Sequence, residues 1–185
     1  MRSLWRNSDS GYGLASVGIH WVSVLLVFFL LTTGLYMVRL TYYDTLYHTL
    51  PQWHKVAGIL LAIVTLPRLL LLLLQPSPTL LPTPLWQQRM AHAVHHTMRV
   101  LLAIMLVTGY FVTTAEGQSI TFWGGITVPA LTRLAPDTSD LLGVIHRWSA
   151  YTLAGCVAAH AGAALYHHFF LRDKTLRRML WPHNS

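Results

Sequence analysis

Long apolar runs dictate what this chain can fold into. One extends from about Val17 to Val38 and contains VSVLLVFFLLTTGLYMV. A second, from about His54 to Leu74, ends in six consecutive leucines. A third covers about Met90 to Thr114 and a fourth about Leu141 to Phe170. Each reaches the roughly 20 residues that a helix needs to cross the hydrocarbon core of a bilayer. Lipid offers the backbone no hydrogen-bond partners, so a segment of this kind must satisfy itself as a helix. Of the 185 residues, 54% are hydrophobic and only 10% charged, against about 25% charged in soluble domains. A soluble chain of this size could not cover that much apolar surface. The expected fold is all-α and integral to a membrane: a four-transmembrane-helix bundle forming one domain over residues 1–185. No polar stretch is long enough to fold alone.

The first run is expected to be retained as a helix, because no small-residue cleavage site follows it. Pro67 should kink the second span by removing one i→i−4 hydrogen bond. The connectors read clearly. TYYDTLYHTLPQW (41–53) has the Tyr and Trp content of an interfacial loop, and QPSPTLLPTPLWQQ (75–88) has too many prolines to be helical throughout. The connection from about Ala115 to Asp140 holds Gly124, Gly125, Pro129 and Pro136, and its TFWGG segment (121–125) reads as a turn with an aromatic lid.

The net charge is +7. Its basic residues cluster at span ends, which points to membrane topology and not to nucleic acid. Four spans place both termini and the Pro-rich connector on one side. That side holds Arg2, Arg6, Arg89, Arg172, Lys174, Arg177 and Arg178, with Arg68 close by. The other side has Arg39, Lys55, Arg133 and Arg147 together with Asp44, Glu116, Asp137 and Asp140. The excess of positive charge makes the termini cytoplasmic. Cys156 is the single cysteine, which excludes an internal disulfide and any cysteine-ligated cluster.

Eleven histidines stand out in so apolar a chain. Imidazole is costly in hydrocarbon unless it has a partner. By depth, His20 lies near the cytoplasmic end of the first span and His54 at the far end of the second. His146 lies early in the fourth span, and His160 follows 14 residues later. Fourteen residues at about 100° each fall about 40° short of four full turns, so both rings leave one face. Their separation along the axis is about 21 Å. One helix thus offers a ligand near each membrane surface, and His20 and His54 supply a partner at each depth. Two histidines on facing helices at matched depth are what a haem iron needs, and bundle cores accommodate such a group. The pairs are His20 with His160 and His54 with His146. The bland alternative is that each is only a polar anchor at an interface.

The stretches GIHW (18–21), HKVAG (54–58) and IHRWSAYTLAGCVAAHAGAALYHHFF (145–170) resemble the prokaryotic di-haem cytochrome b561 family. The likeness covers nearly the whole chain, including Arg68, the Pro-rich connector and the basic tail. It implies two b haems on the four histidines named above, with His20 and His160 on the cytoplasmic side and His54 and His146 on the periplasmic side. It also implies a multi-pass protein of the bacterial inner membrane. The activity implied is oxidoreductase-like electron transfer to ubiquinone from a periplasmic one-electron donor, superoxide in one branch. One departure is visible: that branch carries a second Arg one turn after the first, where this chain has Leu72.

Other residues admit two readings each. Arg68 and Arg99 suit haem propionates or snorkel to the surface. His92, His95 and His96 open the third span; His92 is taken as a cofactor contact, and a quinone, a metal or plain interfacial placement are the alternatives. His167 and His168 read as interfacial. Lys55 and Arg147 each follow a ligand histidine and form a basic patch over the periplasmic haem that would attract an anion. Besides lipid and ubiquinone, a periplasmic redox or quinone-binding protein is a partner to weigh, because the chain could serve as a haem-bearing anchor subunit. A metal-ion carrier would need intramembrane carboxylates, which the spans lack.

Overall fold

A computed structural model describes residues 4–79, 81–122 and 125–181. Of the features expected from sequence, Arg2 and the Trp123–Gly124 part of the loop segment lie outside the described residues. The chain is mostly helical, with four long helices: α1 (Leu14–Met37), α2 (Thr49–Leu74), α3 (Leu85–Thr113) and α4 (Pro136–Tyr166). A two-residue hairpin pairs β1 (Ile120–Thr121) with β2 (Thr127–Val128), with Ile120 opposite Val128. A π-helical turn (His167–Leu171) and a short helix α5 (Arg177–Leu180) complete the chain.

Local chemistry sets the helix ends. Before α1, the Asn7 Oδ1 accepts from the Gly13 amide at 3.0 Å and from the Ser16 hydroxyl at 2.7 Å. A side-chain oxygen here satisfies donors that the first turn leaves open. Gly13 is required at this turn, since a Cβ would lie 2.6 Å from the Trp5 and Arg6 backbone. α4 opens on Pro136 with Asp137 in its first turn; proline needs no helical partner there, and the carboxylate complements the helix dipole. α4 gives way to the π-helical turn, after which Arg172 takes a left-handed conformation at φ 51°. α2 continues through Pro67.

Three helices, α1, α2 and α3, are long and apolar enough to cross a membrane. The fourth expected span corresponds to α4, whose 31 residues are ample in length. Its His146, Arg147, Ser149, Thr152 and His160 dilute the apolar character that marks the other three. Side-chain exposure runs opposite to that of a water-soluble protein: Phe28, Leu25 and Leu73 are 69%, 68% and 82% exposed, while Ser23, Thr33, Thr108, Thr114 and Ser149 are buried. Apolar surface on this scale requires an apolar surrounding. The connection between α3 and α4 contains the hairpin. Its return is fastened by the Tyr110 hydroxyl, which donates to the Pro129 carbonyl at 2.7 Å and accepts from the Leu131 amide at 3.0 Å.

The chain divides into two compact units, each drawing a segment from all four long helices. Unit 1 is 1–25, 63–97 and 155–185; unit 2 is 26–62 and 98–154. Unit 1 therefore contains both termini and the Pro-rich connector. It is tied by the Arg178 guanidinium donating to the Thr79 carbonyl at 2.7 Å and by the Trp21 indole donating to the Met179 carbonyl at 2.6 Å.

Candidate functional site

Unit 2 brings His54 of α2 and His146 of α4 together, with ring centres 6.5 Å apart and planes inclined by 71°. A metal–imidazole bond is about 2.0–2.1 Å long. Adding the distance from nitrogen to ring centre, two imidazoles on opposite sides of one metal have centres about 6.3 Å apart. The observed spacing fits that requirement. Among the described residues, no three His, Cys, Asp or Glu side chains gather as a protein-only metal site would need. Two facing imidazoles suit a metal whose other positions are filled by a macrocycle.

Each ring is gripped from a neighbouring helix. The Thr33 hydroxyl of α1 lies 3.0 Å from Nδ1 of His54, and the Thr108 hydroxyl of α3 lies 3.0 Å from Nδ1 of His146. Both hydroxyls already donate within their own helices, Thr33 to the Phe29 carbonyl and Thr108 to the Ile104 carbonyl, each at 2.7 Å. Their oxygens are left to accept, so Nδ1 of each histidine donates. Nε2 then keeps its lone pair, which is the form that binds a metal. Adjacent glycines make room. A Cβ on Gly34 would come within 3.2 Å of Cε1 of His54, and one on Gly109 within 3.0 Å of Cε1 of His146.

Unit 1 holds the other two histidines. His160 Nδ1 lies 3.3 Å from Nε2 of His95 on α3, with ring centres 5.0 Å apart. His20 has a buried Nδ1 with no hydrogen-bond partner, and its ring meets Trp21 edge-on at 5.6 Å. Arg68, His160 and His95 are its electrostatic neighbours, and Arg68 acts on His160 as well. A buried imidazole nitrogen left unsatisfied by protein is costly, and it sets His20 apart from His54 and His146, whose Nδ1 atoms have threonine partners. The guanidinium beside both rings supplies the positive charge that a carboxylate-bearing cofactor needs.

The remaining sequence candidates are distributed more loosely. His92 and His96 are exposed on α3; the member of that cluster brought to His160 is His95. Lys55 is half-buried and Arg147 exposed. His167 donates from Nδ1 to Asp173 at 2.5 Å, and the other carboxylate oxygen accepts from the Thr175 amide at 2.8 Å. Burial raises the Asp173 pKa, but the Thr175 and His167 hydrogen bonds outweigh it and hold the carboxyl below its usual range. In the α1–α2 loop, Asp44 accepts from both the amide and the hydroxyl of Thr41, which likewise depresses its pKa. Sequence reasoning missed Thr33, Gly34, Thr108 and Gly109. The recurrence of a Thr-Gly step in TTGLY and VTGYF was the available signal.

Known proteins resemble this chain over nearly its full length. It is 37% identical over 180 residues to Cytochrome b561 homolog 2 of Escherichia coli (strain K12), an alignment spanning 97% of this chain and 96% of that one. Cytochrome b561 homolog 1 of the same organism is 27% identical over 172 residues, covering 91% and 96%. The Yersinia pestis protein named "Probable superoxide oxidase CybB" is 28% identical over 175 residues, covering 91% and 95%. A family model described as prokaryotic cytochrome b561 matches residues 11–182. With paired histidines carried on apolar helices and a match that takes in all four of them, the chain belongs to the prokaryotic cytochrome b561 family, membrane proteins that transfer electrons through b-type haem.

Proposed function

We propose that this protein carries single electrons across the bacterial inner membrane through two b haems, from a periplasmic one-electron donor to ubiquinone. The observation that carries the reading is the 6.5 Å spacing of His54 and His146, with a threonine hydroxyl 3.0 Å from Nδ1 of each ring. Those two would hold the periplasmic-side haem, and His20 and His160 the cytoplasmic-side haem. Haem held by these histidines would supply a one-electron couple.

The chain's own side chains do the rest. Arg68, beside His20 and His160, neutralises carboxylates at that site. Lys55 and Arg147 follow the ligands at the other site and raise the local concentration of an anionic donor. Superoxide is such an anion, and the name of the Yersinia pestis relative supports it as the donor. Leu72 withholds the second cation one turn beyond Arg68, which weakens anion attraction on that side. α4 is the fourth span. Unit 1 carries Arg6, Arg68, Arg89, Arg172, Lys174, Arg177 and Arg178 against Asp9 and Asp173, so it faces the cytoplasm with both termini.

The test is a haem count by pyridine haemochrome on detergent-purified protein, followed by superoxide-dependent ubiquinone reduction. Two b haems per chain and activity without a partner protein are expected. One haem or none would overturn the two-site reading. Inactivity of the isolated chain, with a stoichiometric partner restoring electron flow, would make it an anchor subunit.

A further inference from the structure

The two threonines that grip His54 and His146 do more than fit the space. We propose that Thr33 and Thr108 are a matched pair of positioning residues that fix both rings as Nε2 ligands and lower the reduction potential of the haem bound there. The inference rests on the proposed placement of a haem between these histidines.

Three observations carry it. Both hydroxyls lie at the same 3.0 Å from Nδ1, and both are buried, Thr33 at 8% and Thr108 at 4% exposure. Both have their own hydrogen committed to a carbonyl one turn back, at 2.7 Å. A buried oxygen with no proton left to give can only accept, so the ring proton is pinned on Nδ1. Drawing electron density from N–H toward an acceptor makes the ring a stronger donor at its other nitrogen. A stronger donor favours the ferric over the ferrous state, which is a lower potential.

The histidines of unit 1 lack this arrangement. His20 Nδ1 has no hydrogen-bond partner, and His160 meets another imidazole instead of a hydroxyl. Threonine control is thus confined to one site, and only one of the two haems should respond to its removal.

The experiment is a spectroscopic redox titration of the purified holoprotein carrying Thr33→Val, Thr108→Val, or both, with Thr33→Ser and Thr108→Ser as rescue variants. Valine keeps the shape and removes the acceptor; serine restores it. Outer-shell partners alter metal binding by about 10–100-fold. A tenfold change in the ferric-to-ferrous preference is about 59 mV for one electron, so each Val variant should raise one haem's midpoint by about that much. The other haem should stay put, and serine should return the first toward wild type. If Val variants retain both haems and neither midpoint moves, the inference fails while the two-haem reading stands. If serine variants shift as far as valine, the hydroxyl is irrelevant and the inference fails. Wild-type protein without a second titrating haem would remove the proposed site itself.

Discussion

His95 Nε2 lies 3.3 Å from Nδ1 of His160. If His160 is the haem ligand proposed above, this contact leaves its Nε2 for the iron and makes His95 its support. His95→Ala should keep two haems per chain while shifting the absorbance of one, and His160→Ala should leave a single haem. Pyridine haemochrome counts on the two variants decide it, and the reverse result would exchange their roles.

Gly109 and Gly34 should not tolerate a side chain. A Cβ would meet His146 at 3.0 Å and His54 at 3.2 Å, and overpacking of this kind costs about 1–3 kcal/mol. Gly109→Ala should lower haem occupancy more than Gly34→Ala. At Gly58 and Gly143 a Cβ meets nothing within 4 Å, so alanine there should be neutral or gain up to about 1 kcal/mol from helix propensity. Haem-to-protein ratios and thermal melts of the four variants provide the comparison.

The carboxylate of Asp173 ties the π-helical turn to the tail through His167 and Thr175. Its pKa is depressed in the folded chain, so its contribution is full above the unfolded carboxyl value of about 3.9 and is lost as pH falls through the lower folded value. Protease cleavage in the tail should rise below about pH 4 in the wild type. In Asp173→Asn it should be raised already at neutral pH and change little on acidification.

Tyr110 holds the loop before α4 through a donated and an accepted hydrogen bond. Tyr110→Phe should loosen residues 115–135 and cost about 1 kcal/mol, since a typical intramolecular hydrogen bond contributes about 0.5–1.5 kcal/mol net. Hydrogen exchange in that loop should quicken while the haem count stays unchanged.

The helices were legible because apolar runs in lipid admit little else, and their ends fall within about five residues of those expected. α4 was readable from its length and its histidine pair, although its polar residues weaken it as a span. The choice of His95 over His92 was not readable, because three histidines within five positions cover much of a helix surface and packing selects among them. Thr33 and Thr108 escaped notice for a related reason. A threonine in a membrane helix ordinarily turns its hydroxyl back on its own backbone, and only the tertiary structure reveals the oxygen lone pair left for a neighbour. The hairpin and the π-helical turn are too short to leave a periodic trace.

The threonine grips have an order in the chain. α1 holds the ring carried by α2, and α3 holds the ring carried by α4; His95 and His160 likewise sit on α3 and α4. Three of the four histidines, His54, His146 and His160, thus find a partner within their own helical hairpin, on either side of the proline-rich connector. If haem sits between the helices as proposed, each hairpin could enter the bilayer with its His54, His146 or His160 ring already oriented, and the hairpins would then meet around it.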